Sequence, residues 1–453
     1  MVQIDEKISV SSKTKLESIF DSGTFVELSA YTKKEASQND FESVVCGYGA
    51  VNGKLAFAFV QDSGRTKGAF GERHAKKIAD MYSLAIKNGA PVIGVFDSAG
   101  AVVYDGASAL AAYGRFMKCV SDASGIIPQI AVVGGVCGGS SAVVASMFDF
   151  TVTIKDISKL YVNPPFVVGK EVGSADFAAA RGASAYVANT EGEAFAFAKE
   201  LVTLLPSNNA DSACGDCFDD INKKVAVDGL SGKALAEAVA DNGKTVALYE
   251  KYTDKAFLGF ASFGGIVTGV VSLCGGLDIK AARAITKLVS FCDSFSIPLL
   301  TLVDSEGLDS SIEAESAAYA SELARLAYAY TGADNAKVTV VTGKAYGAAF
   351  TLLGSKSVGA DMVFALENAA ISVLSPEASV AFVWNDKVGE QSREELEAEW
   401  KEKCASAQDA CDRGEVDDVI DSSELRQRIC ASLMMLSAKA EGAPTRKHAN
   451  MPL

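Results

Sequence analysis

Residues 125–150 read GIIPQIAVVGGVCGGSSAVVASMFDF. The apolar, β-branched run Ile130-Ala-Val-Val133 is bounded by Pro and Gly, the signature of a buried strand. Gly134, Gly135, Gly138 and Gly139 follow, and then small residues at helical spacing, Ser141-Ala-Val-Val-Ala-Ser146. The pattern predicts a strand, a glycine turn and a helix. Glycines at such a turn let a ligand approach the backbone, and the first N–H groups of a helix have no intrahelical partner. Donors of that kind suit a negative oxygen. Two other readings fit less well. The uncharged span 123–148 is long enough to cross a membrane, but it holds Pro128, Gln129, five glycines and several serines and lacks flanking basic residues. Gly134 and Gly139 have the spacing of a nucleotide phosphate loop, but Ser140 stands where lysine is required. A purely structural turn stays open for the stretch taken alone.

A second copy of the pattern argues for a ligand. Val338-Thr-Val-Val-Thr-Gly-Lys-Ala-Tyr-Gly-Ala-Ala-Phe-Thr-Leu-Leu-Gly-Ser355 repeats strand, small-residue turn and helix, with Gly343 matching Gly135 and Gly347 matching Gly139. Upstream, the strand ending at Asp97-Ser98 pairs with the strand ending at Asp304-Ser305, and Val51-Asn-Gly-Lys54 resembles the stretch after Phe263. An ordered series of matches at nearly constant separation indicates two homologous domains. Two oxyanion-type turns suggest two developing negative charges in one reaction.

The 453 residues suit two domains of roughly two hundred residues each. A hydrophobic fraction of 49% and a charged fraction of 22% are those of a soluble globular protein. The net charge of −15 argues against nucleic acid and anionic membrane as partners, though local Lys and Arg decide whether an anionic substrate binds. Ten cysteines lack metal-ligand spacing, Cys214 and Cys217 forming a lone CxxC. With no secretory signal at the N-terminus, reduced thiols in a cytoplasmic protein are expected.

Along the chain, residues 44–60 predict a hairpin around Asn52-Gly53. The loop 64–71 carries Arg65 and Lys67, and helices are predicted over 72–88 and 107–121, with a strand over 91–96 between them. Alternating strands and helices imply crossover units and a largely parallel sheet. Residues 155–254 read as less regular, with 207–218 as the best linker. The second half predicts a helix over 280–295, a strand over 299–303, a helix over 313–330 and a charged, mostly solvated helix over 392–410.

These residues carry a family resemblance. Phe20-Asp-Ser-Gly-Thr-Phe-Val-Glu-Leu28, Gln61-Asp62, Gly71-Glu72 with His74, Asp97-Ser98, Gly135, Cys137 and Gly139 in the first half, and Lys344-Ala-Tyr-Gly347, Gly359-Ala-Asp361, Arg413-Gly414 and the Lys447-His448 ending in the second, resemble the carboxyltransferase subunit of biotin-dependent acyl-CoA carboxylases and decarboxylases. The resemblance implies an α/β fold of two tandem crotonase-like domains, 1–210 on the acyl-CoA side and 211–453 on the biotin side. It implies a homo-oligomer, a hexamer, whose site forms where the N-domain of one subunit faces the C-domain of another. The implied reaction moves a carboxyl group between carboxybiotin and the α-carbon of acetyl- or propionyl-CoA through an enolate. Biotin itself is thought to take the α-proton, so neither a protein base nor a metal is required.

Carried over by position, the N-domain hole falls at Gly139 and Ser140 beside Gly138, and the C-domain hole at Ala348 and Ala349 after Gly347. The family usually has a second glycine where Ser140 and Ala348 stand, and an arginine where Val102 stands. Thr351 takes a position that lines the acyl pocket, and Arg65 and Lys67 are candidates for a coenzyme A phosphate or a substrate carboxylate. With no biotin-attachment Met-Lys-Met in the chain, biotin is expected on a partner carrier protein, alongside a biotin carboxylase or a membrane decarboxylase subunit. Two alternatives stand beside carboxylation: reverse transfer from a malonyl-type CoA, and a catalytically silent scaffold subunit.

Overall fold

The run Ile130-Ala-Val-Val133 forms a strand, and it lies inside a sheet. The computed structural model describes residues 10–33, 41–212 and 219–440. The chain divides into two compact units, the division falling between Ala213 and Cys214. Asn208 and Asn209, within the expected linker, are fastened to the first unit through Gly89 O (2.9 Å) and Ile126 O (3.0 Å). Cys214, Cys217 and the Lys447-His448 ending lie outside the described residues.

The first unit holds strands β1 (Val26–Leu28), β2 (Val44–Val51), β3 (Lys54–Gln61), β4 (Val92–Ser98), β5 (Gln129–Gly138), β6 (Phe150–Ile154), β7 (Lys159–Tyr161) and β8 (Tyr186–Ala188). Their order is β1-β2-β3-β4-β5-β6-β8, with β7 against the end of β5. The hairpin β2–β3 turns at Asn52-Gly53 and is antiparallel, and from β3 onward the pairs are parallel. The helix Glu72–Asn88 has the predicted bounds and stops at Gly89, whose φ of 58° gives a left-handed cap. Rings fill the space under the sheet: Phe59 meets Phe96 edge-on at 5.4 Å, and Phe70 stacks on Phe116 at 5.6 Å.

The second unit repeats this with β9 (Thr245–Leu248), β10 (Ala256–Phe263), β11 (Ile266–Leu273), β12 (Leu299–Ser305), β13 (Lys337–Tyr346), β14 (Met362–Leu366), β15 (Ala370–Ser372) and β16 (Asp418–Ile420). The order is β9-β10-β11-β12-β13-β14-β16, and β15 pairs with the end of β13. Both units are therefore α/β with one strand order. Arg426, fully buried, ties this unit together. Its guanidinium donates to Val239 O (2.6 Å), Asp220 O (3.1 Å) and Asp241 Oδ1 (2.6 Å). Asp241 in turn accepts the N–H groups of Gly264 and Gly265 in the β10–β11 turn.

Four expectations need correction. Gly134 and Gly135 lie within β5 rather than in a turn, packed against β4: a Cβ on Gly134 would lie 3.0 Å from the Val95 side chain and one on Gly135 2.0 Å from the Asp97 carboxylate. The helix expected over 313–330 is two, Ile312–Ser316 and Tyr319–Gly332, broken where Ala318 takes φ 58°. Tyr319 is turned inward there: its hydroxyl donates to Leu277 O and accepts from Asp309 N–H. The helix expected over 392–410 is also two, Arg393–Cys404 and Ala407–Asp412. Ala405 between them is buried, and its carbonyl accepts Ile371 N–H of β15 at 2.8 Å. The region read as less regular contains the fourteen-residue helix Glu191–Leu204, capped by Thr190 Oγ on Glu193 N–H.

His74, one of the chain's two histidines, is fully buried against Phe70, with Glu42 Oε1 3.6 Å from Nδ1. Burial holds its pKa below the ordinary imidazole value, the Glu42 contact opposing in part. The unfolded chain binds a proton there as pH drops through about 6.5 and the folded chain does not. The first unit is accordingly expected to be fully stable above that pH and to lose up to about 1.4 kcal/mol per pH unit below it. Urea unfolding at pH 7.5 and 5.5 should show a smaller pH dependence for His74→Gln. An equal dependence would mean that His74 titrates alike in both states.

Candidate active site

Strand β5 ends at Gly138, and the helix Ser140–Met147 begins two residues on. Gly139 joins them at φ 58°, ψ −126°, a conformation that side chains with a Cβ rarely adopt. Gly347 does the same between β13 and the helix Ala348–Leu352, at φ 62°, ψ −149°. The repeat in sequence is a repeat in backbone geometry.

Each turn is held by the short strand beyond it. Gly139 N–H donates to Tyr161 O of β7 and Gly347 N–H to Ser372 O of β15, both at 2.9 Å. The glycine N–H groups are thus occupied. Gly139 supplies the bend, and the open positions are Ser140 and Ser141, which start the helix with no preceding turn to supply acceptors. In the second unit the corresponding positions are Ala348 and Ala349. Gly138 is where β7 leans on the turn: a Cβ there would lie 2.7 Å from the Tyr161 ring. Ser141 is also fixed by its side chain, 2.9 Å from the Tyr113 hydroxyl inside the core. Neither Ser141 nor Tyr113 stood out in the sequence; the second half has Ala349 at the position matching Ser141.

A cavity opens beside each turn. In the first unit it measures about 500 Å³, lined by Ala142 and Val143 of the helix, by Leu160, Tyr161 and Val162, and by Phe177 and Arg181. In the second it measures about 710 Å³ and is lined by Gly347, Ala348, Phe350 and Thr351, by 371–374, and by Trp400 and Arg413. Phe350 and Thr351 match Ala142 and Val143 by position. Thr351 therefore faces the space beside the turn. Arg413 there is paired with Asp409 at 2.8 Å.

Arg65 and Lys67 ride on a loop clamped to the end of β4. Ala99 N–H donates to Lys67 O (2.9 Å), and Ser98 Oγ donates to Gly68 O (2.6 Å). Arg65 is directed to Asp62 (3.6 Å) and the Phe41 ring, whereas Lys67 is exposed. Nucleophilic thiol chemistry finds no support near the turn. Cys137, two residues before Gly139, is buried, and burial pushes its pKa well above the ordinary thiol value. No cluster of potential metal ligands occurs among the described residues. No helix among them is long and apolar enough to cross a membrane.

Paired helix-start donors beside paired cavities are what a reaction with two anionic oxygens requires, and a family model for the carboxyl transferase domain matches residues 10–451. The chain belongs to the carboxyl transferase family. It is an enzyme of the acyl-CoA carboxyltransferase class. It is 33% identical to the methylmalonyl-CoA decarboxylase subunit alpha of Propionigenium modestum, over 98% of this chain and 93% of that one. It is 32% identical to the mitochondrial propionyl-CoA carboxylase beta chain of Rattus norvegicus, over 98% and 88%. Among solved structures it resembles the transcarboxylase 12S core, described as a hexamer and seen with hydrolysed methylmalonyl-CoA bound. The TM-score is 0.92 at 28% identity, covering 97% of this chain and 92% of that one. Carboxyltransferases of this family that act in synthesis and in decarboxylation are thus about equally similar to it.

Proposed function

We propose that this carboxyltransferase moves a carboxyl group between biotin borne on a separate carrier protein and the α-carbon of acetyl- or propionyl-CoA. The observation that carries the reading is the duplicated turn, a left-handed glycine opening a helix beside a cavity, once in each unit. The Ser140 and Ser141 N–H groups serve the thioester oxygen as the substrate becomes an enolate. The Ala348 and Ala349 N–H groups serve the ureido oxygen of biotin. Such donors act without reorganising, and one is commonly worth about 3 to 4 kcal/mol. With Cys137 protonated and His74 buried in the core, neither is suited to act as base, and proton removal falls to the leaving biotin.

The duplicated topology supports a pair of crotonase-like domains. The 12S structure, described as a hexamer, supports a hexameric assembly. In this reading the first unit takes the acyl-CoA and the second the biotin. A biotin carboxylase, or a membrane subunit, is the further partner, and the cytoplasm the compartment. The reverse direction, decarboxylation of a malonyl-type CoA, is the second reading, and the resemblance to the decarboxylase alpha subunits supports it as well as the carboxylase relatives support the first. The test is transfer from malonyl- and methylmalonyl-CoA to free biotin, and from carboxybiotin to acetyl- and propionyl-CoA. Transfer with none of them would leave the scaffold reading standing.

Thr351 gives a narrower prediction. Its small branched side chain leaves room in the cavity, so acetyl and propionyl groups should be separated by only about 1 to 3 kcal/mol, the worth of one methylene. Thr351→Ile should shift the ratio of specificity constants toward acetyl. An unchanged ratio removes Thr351 from the acyl pocket.

A further inference from the structure

The end of β5 carries a bulge that the end of β13 repeats. Phe96 of β4 pairs with Val133, but Ser98 pairs with Cys137, so Gly134, Gly135 and Val136 all lie opposite the single residue Asp97. In the second unit Val303 pairs with Val341 and Ser305 with Ala345, which leaves Thr342, Gly343 and Lys344 opposite Asp304. Bulged strands lose ladder acceptors. Here a carboxylate replaces one: Asp97 Oδ1 accepts Val136 N–H at 3.2 Å, and Asp304 Oδ1 accepts Lys344 N–H at 2.9 Å. The approach is close enough to forbid a side chain beside it. A Cβ on Gly135 would lie 2.0 Å from Asp97 Oδ1, and one on Gly343 2.4 Å from Asp304 Oδ1. Asp97 is itself held, by Gln61 Oε1 on its N–H (3.0 Å), by the Ser63 hydroxyl, and by buried Lys15 at 3.8 Å.

The bonded N–H lies just ahead of the turn in each unit, three residues before Gly139 and Gly347. We infer that Asp97 and Asp304 are positioning residues, which fix the ends of β5 and β13 so that the helix-start N–H groups after Gly139 and Gly347 are aimed at the reacting oxygens. This rests on the carboxyl-transfer reading. What matters is the acceptor oxygen, not the charge, so asparagine should serve in place of aspartate.

The experiment measures transfer between methylmalonyl-CoA and free biotin for the full chain and for Asp97→Ala, Asp97→Asn, Asp304→Ala and Asp304→Asn. Amide hydrogen exchange over 131–141 and 339–349 is followed alongside. Each alanine variant should lose about a hundredfold in kcat, the usual cost of a small misplacement, with KM within about threefold. Exchange at Val136 or Lys344 should quicken in the same variants. Each asparagine variant should return to within about fivefold of the parent. The inference is overturned by an alanine variant of full kcat, by a loss carried in KM, or by asparagine no better than alanine. Should Asp97→Ala fail to fold, Asp97→Asn and the Asp304 pair decide the matter by the same comparisons. A parent that transfers no carboxyl group refutes the functional reading. An active parent with full-rate alanine variants refutes the positioning role alone.

Discussion

Replacing Ser140 with proline is expected to lower kcat for carboxyl transfer by about 10² to 10³ while leaving the fold intact. Ser140 is the first residue of its helix, the one helical position where the fixed φ of proline is welcome and its missing N–H breaks no helical bond. The residue before it is glycine at φ 58°, ψ −126°, the mirror image of the extended backbone that proline favours in its neighbour. The substitution therefore removes one candidate oxyanion donor and little else. Ala348→Pro, after Gly347 at φ 62°, ψ −149°, is the matching test in the second unit. Melting temperature and acyl-CoA binding should stay near the parent's in both. Activity within about threefold of the parent would show that Ser140 N–H faces no developing charge.

The second large effect is on stability. Arg426→Ala should cost the second unit about 3 to 5 kcal/mol, since it leaves Asp241 as a buried carboxylate without its cation. The loss reaches beyond the ion pair, because the same guanidinium holds the carbonyls of Val239 and Asp220. Arg426→Lys keeps the charge but cannot make all three contacts from one ammonium in the same plane, and should recover only part. Urea unfolding followed through the second unit's transition reads this directly. A change below about 1 kcal/mol would mean that the Gly264 and Gly265 N–H groups suffice to hold Asp241.

Local chemistry was legible in the sequence wherever it decides structure by itself. Asn52-Gly53 placed the first hairpin, and the period of 72–88 with Gly89 after it placed a helix. The internal repeat located both turns. Features that depend on a distant partner were not legible. Ala318 and Ala405 are good helix formers in helical surroundings. They break their helices because Tyr319 reaches Leu277 and because Ile371 takes the Ala405 carbonyl. Gly134 and Gly135 read as turn residues because the side chains that crowd a Cβ there, Val95 and Asp97, come from another strand. The occupied N–H of Gly139 was hidden for the same reason, its acceptor lying on β7. The helix Glu191–Leu204 is different: Thr190 followed by Glu193 is a start signal that the sequence does carry.

The quarrel for space between Gly135 and Asp97 bears on any attempt to retune this enzyme by selection. A library that varies position 135 alone samples almost only dead clones, because every side chain larger than hydrogen meets the Asp97 oxygen at 2.0 Å. The two codons have to be randomised as a pair, and so do those of Gly343 and Asp304. Diversity is better spent on Ala142 and Val143 in one unit and Phe350 and Thr351 in the other. There the side chains border open volume, and a change of size alters what fits without disturbing the backbone of the turns.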